Sequence, residues 1–217
     1  TALPEQVTDA VVQSAFRSAG QRCSALRLLC VHADIADDVI GMIAGAAAEL
    51  SAGDPALLST DVGPVIDQEA FATLQRHLAR LRASARPVFT PEPHTGAPLH
   101  LVPPQAFEVA TPEDVAQEVF GPVLHITRWS GDPRAVVDRL NARGWGLTLG
   151  LQTRIDSRAL DLATRARVGN VYVNRNMIGA VVGVQPFGGE GLSGTGPKAG
   201  GPLYLQRLTG SENVAPG

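Results

Sequence analysis

The sequence predicts an α/β fold built on a largely parallel sheet flanked by helices, and two observations carry that expectation. Apolar runs of strand length alternate with amphipathic segments of helical length from one end of the 217 residues to the other. Hydrophobic residues make up 44% and charged residues 18%, the balance of a globular domain able to bury a core. No shift of composition, repeat or low-complexity stretch divides the chain.

The elements follow in order. Pro4 sits at a first helical position and opens a segment with Val7, Val11, Ala15 and Phe16 on one face, ended by Gly20. Ala25–Val31 is an apolar run of strand length. Asp34 reads as an N-cap with Asp37 and Asp38 in the first turn, and Ile35, Val39, Ile43, Ala46 or Ala47, and Leu50 form one stripe. Residues 53–63 form a loop. Asp67 begins a helix with Phe71, Leu74, Leu78 and Leu81 inward and with Arg76, Arg80 and Arg82 on a solvated face. Residues 87–90 suggest a short strand, and five prolines make 90–104 mostly irregular, with 100–103 as a second edge strand between prolines. Val123–Trp129 is a strand, and Asp132-Pro133 caps a helix to Arg143. Strands at 147–153 and 170–174 bracket a helix at 156–167; a glycine-rich tract from Gly179 to Gly201 precedes a last strand around 203–208.

Several functions lose support at once. Eighteen basic against 21 acidic residues give a net charge of −3, with the basic residues scattered, so neither nucleic acid nor an anionic membrane surface is an expected partner. The low-charge run Val39–Leu50 is far short of the roughly 20 residues of a membrane span. The N-terminus resembles no secretory signal and lacks Met, so Thr1 is expected not to be the natural start. Cys23 and Cys30 make no disulfide framework, and a cytoplasmic protein is expected. His32, His77, His94, His100 and His125 show no metal-ligand spacing, so structural or exposed roles and no metal are expected.

Three places can carry chemistry. Cys23 lies three residues past Gly20, just before a strand and beside Arg22, a cation that would favour its thiolate. A small buried thiol is the alternative, and Cys30, mid-strand among Leu28, Leu29 and Val31, is expected to be that inert kind. Glu118 and Phe120 precede the strand at Val123, placing a carboxylate for a hydroxyl pair beside a flat apolar wall. The run Gly188–Gly196 invites a phosphate-loop reading, which fails because no Gly-Lys-Ser/Thr follows and no strand-fingerprint-helix spacing is present. No Gly-x-Ser-x-Gly elbow supports a serine hydrolase.

Three motifs in one order resemble the aldehyde dehydrogenase family. Gly20-Gln21-Arg22-Cys23 matches its nucleophile motif, Glu118-Val119-Phe120-Gly121-Pro122 its Glu-x-Phe-Gly-Pro motif, and Pro186-Phe187-Gly188-Gly189 with Gly191-Leu192-Ser193-Gly194 its C-terminal signature. The stretch Asn174–Phe187 resembles the branch that oxidises L-glutamate γ-semialdehyde, and within it the 1-pyrroline-5-carboxylate dehydrogenase module of the bifunctional proline utilisation A enzymes of proline catabolism. The resemblance implies an aldehyde dehydrogenase catalytic domain over 1–202, and over 203–217 a strand leading toward an oligomerisation flap, followed by a tail.

The resemblance also implies the roles. Cys23 is the nucleophile, forming a thiohemiacetal and then a thioester; Glu118 grips the nicotinamide ribose and Phe120 flanks the ring of NAD. Ser24 and the backbone amides of Gly179 and Ala180 hold the substrate's α-carboxylate, and Phe187 packs on its aliphatic part. It places the dinucleotide-binding domain, the general-base glutamate and the oxyanion asparagine upstream of Thr1, and FAD in a separate proline dehydrogenase domain. The 217 residues alone are therefore expected to be inactive, and the parent chain to be a homo-oligomer. An aldehyde dehydrogenase for another aldehyde and a non-catalytic structural copy of the fold are the rival readings.

Overall fold

The computed structural model describes residues 1–91, 98–181 and 183–209; the last part of the tail and His94 lie outside them. The described chain forms two compact units, one of Ala2–Gly131 and one of Asp132 onward together with Thr1. The sequence gives no sign of this division. Its boundary, Gly131-Asp132-Pro133 with Gly131 at φ +83°, has the composition of an ordinary strand-to-helix turn, so nothing in the residues sets it apart.

In the Ala2–Gly131 unit, α1 (Pro4–Phe16) begins at its proline and buries Val7, Val11, Ala15 and Phe16. Strand β1 (Leu28–His32) runs straight into α2 (Ala33–Ala48). Asp34 is therefore already inside the helix, and the cap is His32, whose Nδ1 accepts the Asp34 N–H at 3.3 Å. Helix α3 (Gln68–Ser84) starts as expected: Asp67 Oδ1 accepts the Ala70 N–H at 2.8 Å. Strands β2 (Arg86–Phe89), β3 (Gln105–Glu108) and β4 (Val123–Trp129) complete a four-stranded sheet in the order β1-β4-β3-β2. Both pairings of β4 are parallel and β2–β3 is antiparallel. The second edge strand expected at 100–103 is corrected: pairing begins at Gln105, past Pro103 and Pro104, which have no N–H to give a ladder.

Strand β4 is the middle of this unit. Its first five residues are buried, as a strand covered on both faces requires. Leu124 and Ile126 join the core of Val39, Ile43, Leu74, Leu78, Leu81 and Phe107. On the alternate side His125 meets His77 of α3, with Nε2 to Nε2 at 2.9 Å. The arginines of α3 are exposed, as the helical pattern suggests, and two of them also reach inward. Arg80 donates to the Asp114 carbonyl and faces His77, and Arg82 donates to the side chain of buried Gln105 at 3.0 Å.

In the second unit, α4 (Pro133–Ala142) is capped by Asp132. After it come β5 (Trp145–Gly146), β6 (Thr148–Leu151), α5 (Asp156–Arg165), β7 (Asn170–Val173), β8 (Glu190–Gly191) and α6 (Tyr204–Leu208). β6 pairs with β7 in parallel and β5 with β8 antiparallel. Arg165 clasps Asp138 through both carboxylate oxygens at 2.6 Å, tying α5 to α4. The strand expected around 203–208 is corrected to α6: Arg207 and Thr209 donate back four residues to Leu203 and Leu205. Leucine, glutamine and arginine are good helix formers, and among the described residues no strand pairs with them. No helix among the described residues is long and apolar enough to cross a membrane.

Burial pushes the His77 imidazole down to about 4 from its ordinary 6.5, helped by His125 and Arg80. The unfolded chain therefore takes up a proton near pH 6.5 that the folded chain refuses until about pH 4. The stability owed to neutral His77 is whole above the upper value and is lost as pH falls toward the lower, by about 1.4 kcal/mol per pH unit. Urea titrations between about pH 7 and pH 5 are expected to show a steeper loss for the wild type than for His77→Gln. Equal slopes would contradict this.

Candidate active site

The thiol loop begins where α1 stops. Ser18 (φ +55°), Ala19 (φ +52°) and Gly20 (φ +62°) follow one another in the left-handed region. Two of these are not glycine, and such backbone persists only where its surroundings over-determine it. Here they do: Ala19 is 2% exposed, the Gln21 side chain accepts the Ile66 N–H at 2.9 Å, and the Leu26 N–H reaches the Ser14 carbonyl at 2.9 Å. The loop leaves Cys23 exposed and turns Ser24 inward, at 1% exposure. Cys30 is half-buried, in keeping with a strand position.

The second motif lies against this loop. A Cβ on Gly20 would fall on the Gly121 carbonyl and within 2.9 Å of the Ala15 oxygen, and one on Gly121 would enter the Leu74 side chain. Both positions therefore need glycine, Gly20 for its φ as well as its space. Glu118 and Phe120 stand beside this contact, the carboxylate 44% exposed and the phenylalanine 42% exposed.

One residue that sequence reasoning missed joins the two motifs. The Arg27 side chain is 12% exposed. Its Nη1 donates to the carbonyls of Gly20 at 2.5 Å and Gly121 at 3.2 Å, and its Nη2 to that of Arg22 at 3.2 Å. Its guanidinium carbon lies 4.7 Å over the Phe120 ring, and Nε is 3.9 Å from Glu118. Burial lowers the Arg27 pKa, opposed by the charges of Glu118 and Cys23. Arg22, next to the thiol, donates its Nε–H to the Ser18 hydroxyl at 3.1 Å. The signal for Arg27 available in sequence was a lone arginine opening an otherwise apolar strand.

Gly179, Ala180 and Phe187 belong to the other unit, where side chains of β7 hold Gly179 and the backbone on either side of Phe187. The Tyr172 hydroxyl donates to the Gly179 carbonyl at 3.1 Å, with Gly179 at φ +70°. Asn170 brackets Phe187, donating to the Pro186 carbonyl at 2.9 Å and accepting the Gly188 N–H at 3.3 Å. Neither Tyr172 nor Asn170 stood out in the sequence. The glycine-rich tract beyond folds back on β5, where the Ser193 hydroxyl accepts the Gly146 N–H at 3.0 Å.

An exposed thiol on a strained loop, held by an arginine that also meets a carboxylate and an aromatic ring, is a combination that comparison with known proteins can place. The model of the aldehyde dehydrogenase family matches residues 2–214. The chain belongs to the aldehyde dehydrogenase family. It is 54% identical to the bifunctional protein PutA of Salmonella typhimurium over 96% of this chain and 16% of that protein. It is 34% identical to a 1-pyrroline-5-carboxylate dehydrogenase of Geobacillus over 93% of this chain and 39% of that protein. A crystal structure of a mutant proline utilization A from Bradyrhizobium japonicum superposes with a TM-score of 0.91 at 56% identity, covering 96% of this chain and 21% of the other. The chain thus spans about a sixth of the PutA relative's length and about two fifths of the 1-pyrroline-5-carboxylate dehydrogenase's.

Gly20→Ala is the variant that tests the loop contact. The left-handed backbone alone is expected to cost about 1–2 kcal/mol, with the clash at the Gly121 carbonyl adding to it. A lower urea midpoint together with slower iodoacetamide labelling of Cys23 is the expected result; an unchanged variant would refute the contact.

Proposed function

We propose that this domain carries the nucleophile of an NAD-dependent aldehyde dehydrogenase that converts L-glutamate γ-semialdehyde to L-glutamate in proline catabolism. The observation that carries the reading is the exposed Cys23 on a loop whose Gly20 and Arg22 carbonyls are held by Arg27, which also meets Glu118 and Phe120. The names of the relatives, PutA and 1-pyrroline-5-carboxylate dehydrogenase, support the choice of aldehyde.

The residues suit a nicotinamide cofactor. Phe120 has Arg27 over its ring yet stays 42% exposed, and the accessible Glu118 carboxylate beside it can accept two ribose hydroxyls. Glu118 and Phe120 would hold that part of NAD, which when bound supplies a hydride acceptor. The chain's own contribution begins with Cys23. Its sulfur, as thiolate, adds to the aldehyde carbon, and the carbonyl oxygen becomes an oxyanion within reach of the Cys23 backbone N–H. Donors placed for such an oxyanion are worth about 3–4 kcal/mol each in related chemistry. Loss of a hydride from the same carbon leaves a thioester on Cys23, and water then breaks the C–S bond to release carboxylate and return the thiol.

Selectivity would come from the substrate's α-carboxylate. In this reading the Gly179 and Ala180 amides and Ser24 bind it, with Phe187 against the methylenes. Ser24 is buried as the thiol loop now stands, so the backbone amides are assigned the larger share. Small residues suit this, because backbone can approach the ligand closely.

NADH formation by the dehydrogenase polypeptide that carries these residues is the test, with glutamate semialdehyde beside a simple alkyl aldehyde. Cys23→Ala is expected to lower the rate by about a thousandfold or more, and the semialdehyde to be strongly preferred. Equal turnover of both aldehydes would discard the carboxylate anchor, and an active Cys23→Ala would discard the nucleophile.

A further inference from the structure

Arg80, His77 and His125 stand in line between the surface of α3 and the backbone of Arg27. Arg80 Nη2 is 3.2 Å from His77 Nδ1, and His77 Nε2 is 2.9 Å from His125 Nε2. His125 Nδ1 is 2.8 Å from the Arg27 carbonyl oxygen, which also accepts the His125 backbone N–H at 3.0 Å. Both ends of this line are chemically fixed, since a guanidinium only donates and a carbonyl only accepts.

The proton positions follow from those ends. His77 Nδ1 must be bare to accept from Arg80, so its proton is on Nε2. That proton is donated to His125 Nε2, which must also be bare, leaving the His125 proton on Nδ1 and directed at Arg27. Every donor points the same way, and all four ring nitrogens are satisfied. A second proton on either ring would set donor against donor, at Arg80 for His77 and at the His77 N–H for His125. The charged groups around the pair oppose that proton: Arg80 faces both rings and Arg27 faces His125.

A pair of aliphatic side chains would fill this volume without two imidazoles to desolvate. A buried polar path is costly unless fully satisfied, and when satisfied it fixes one arrangement. What this path fixes is the carbonyl of Arg27, the residue whose guanidinium spans the carbonyls of Gly20, Arg22 and Gly121. We propose that His77 and His125 are positioning residues for the thiol loop, forming a one-way hydrogen-bond relay that anchors Arg27 and comes apart when either ring is protonated. The proposal rests on the reading of Cys23 as the nucleophile.

Two measurements on the folded protein test it. Iodoacetamide labelling is followed separately at Cys23 and Cys30 by mass spectrometry in the wild type, His77→Gln, His77→Leu and Arg80→Met. The ring tautomers are read by long-range proton–nitrogen NMR. A glutamine at 77 can accept from Arg80 through its oxygen and donate to His125 through its amide, so His77→Gln is expected to label Cys23 within about twofold of wild type. His77→Leu is expected to slow Cys23 by about tenfold with Cys30 unmoved. Arg80→Met, altered on the exposed side of α3, is expected to fall between them. NMR is expected to find the proton on Nε2 of His77 and on Nδ1 of His125. The reverse tautomers, a wild-type rate in both His77→Leu and Arg80→Met, or a His77→Gln as slow as the leucine variant would each overturn the relay. If wild-type Cys23 labels no faster than Cys30, the nucleophile reading itself fails, and the proposal with it.

Discussion

A mostly buried guanidinium is costly to leave without acceptors, and in this protein the way Arg27 finds them organises the thiol site. The Arg27 side chain is 12% exposed; its Nη hydrogens go to carbonyls of Gly20, Arg22 and Gly121, and its Nε–H is left with the Glu118 carboxylate at 3.9 Å, beyond hydrogen-bond distance. Those carbonyls belong to segments about a hundred residues apart in sequence. A planar fork with several fixed N–H directions can serve three acceptors at once, which an ammonium on a flexible stem cannot. The glycines make the approach possible, and the arginine makes it favourable. Burial lowers the Arg27 pKa and the Glu118 charge opposes that shift, so the residue that holds the loops also carries a desolvated positive charge beside Glu118.

The strain in the loop is intelligible from the same place. Ser18 and Ala19 hold left-handed backbone that side-chain-bearing residues avoid, at a cost of order 1–3 kcal/mol each. In return the chain reverses within a few residues of α1 and delivers Cys23 to the surface while Ala19 and Ser24 stay inside. The second unit uses a quieter device, in which side chains of β7 reach out to hold the backbone that follows it. In both units the residues named by the motifs are held by others that the motifs omit.

That division explains what could be read from the sequence. Periodicity located α1, α3, β4 and α4 because their partners are the core and the solvent, which pattern reports directly. The order of the three motifs located Cys23, Glu118, Phe120 and Phe187. Arg27, His77 with His125, Asn170 and Tyr172 escaped because each acts on a residue distant in sequence or on backbone, where no spacing rule applies. Asp34 failed as a cap because β1 enters α2 without a turn, and His32 caps instead. The segment at 204–208 reads equally as strand or helix when its leucines are taken alone, and its local propensity decides it. Arg80 and Arg82 lie on the solvated face that the pattern indicates, while their contacts to buried His77 and Gln105 leave no mark in the spacing.

The central claim is that one side chain holds both motif loops, and amide hydrogen exchange on Arg27→Lys addresses it most directly. Lysine keeps the charge and loses the fork. If Arg27 is the brace, the peptides covering residues 18–26 and 116–122 will exchange faster together, while α2 and the β6–β7 pair keep wild-type protection. Faster exchange in only one of the two loops, or in neither, would contradict the account.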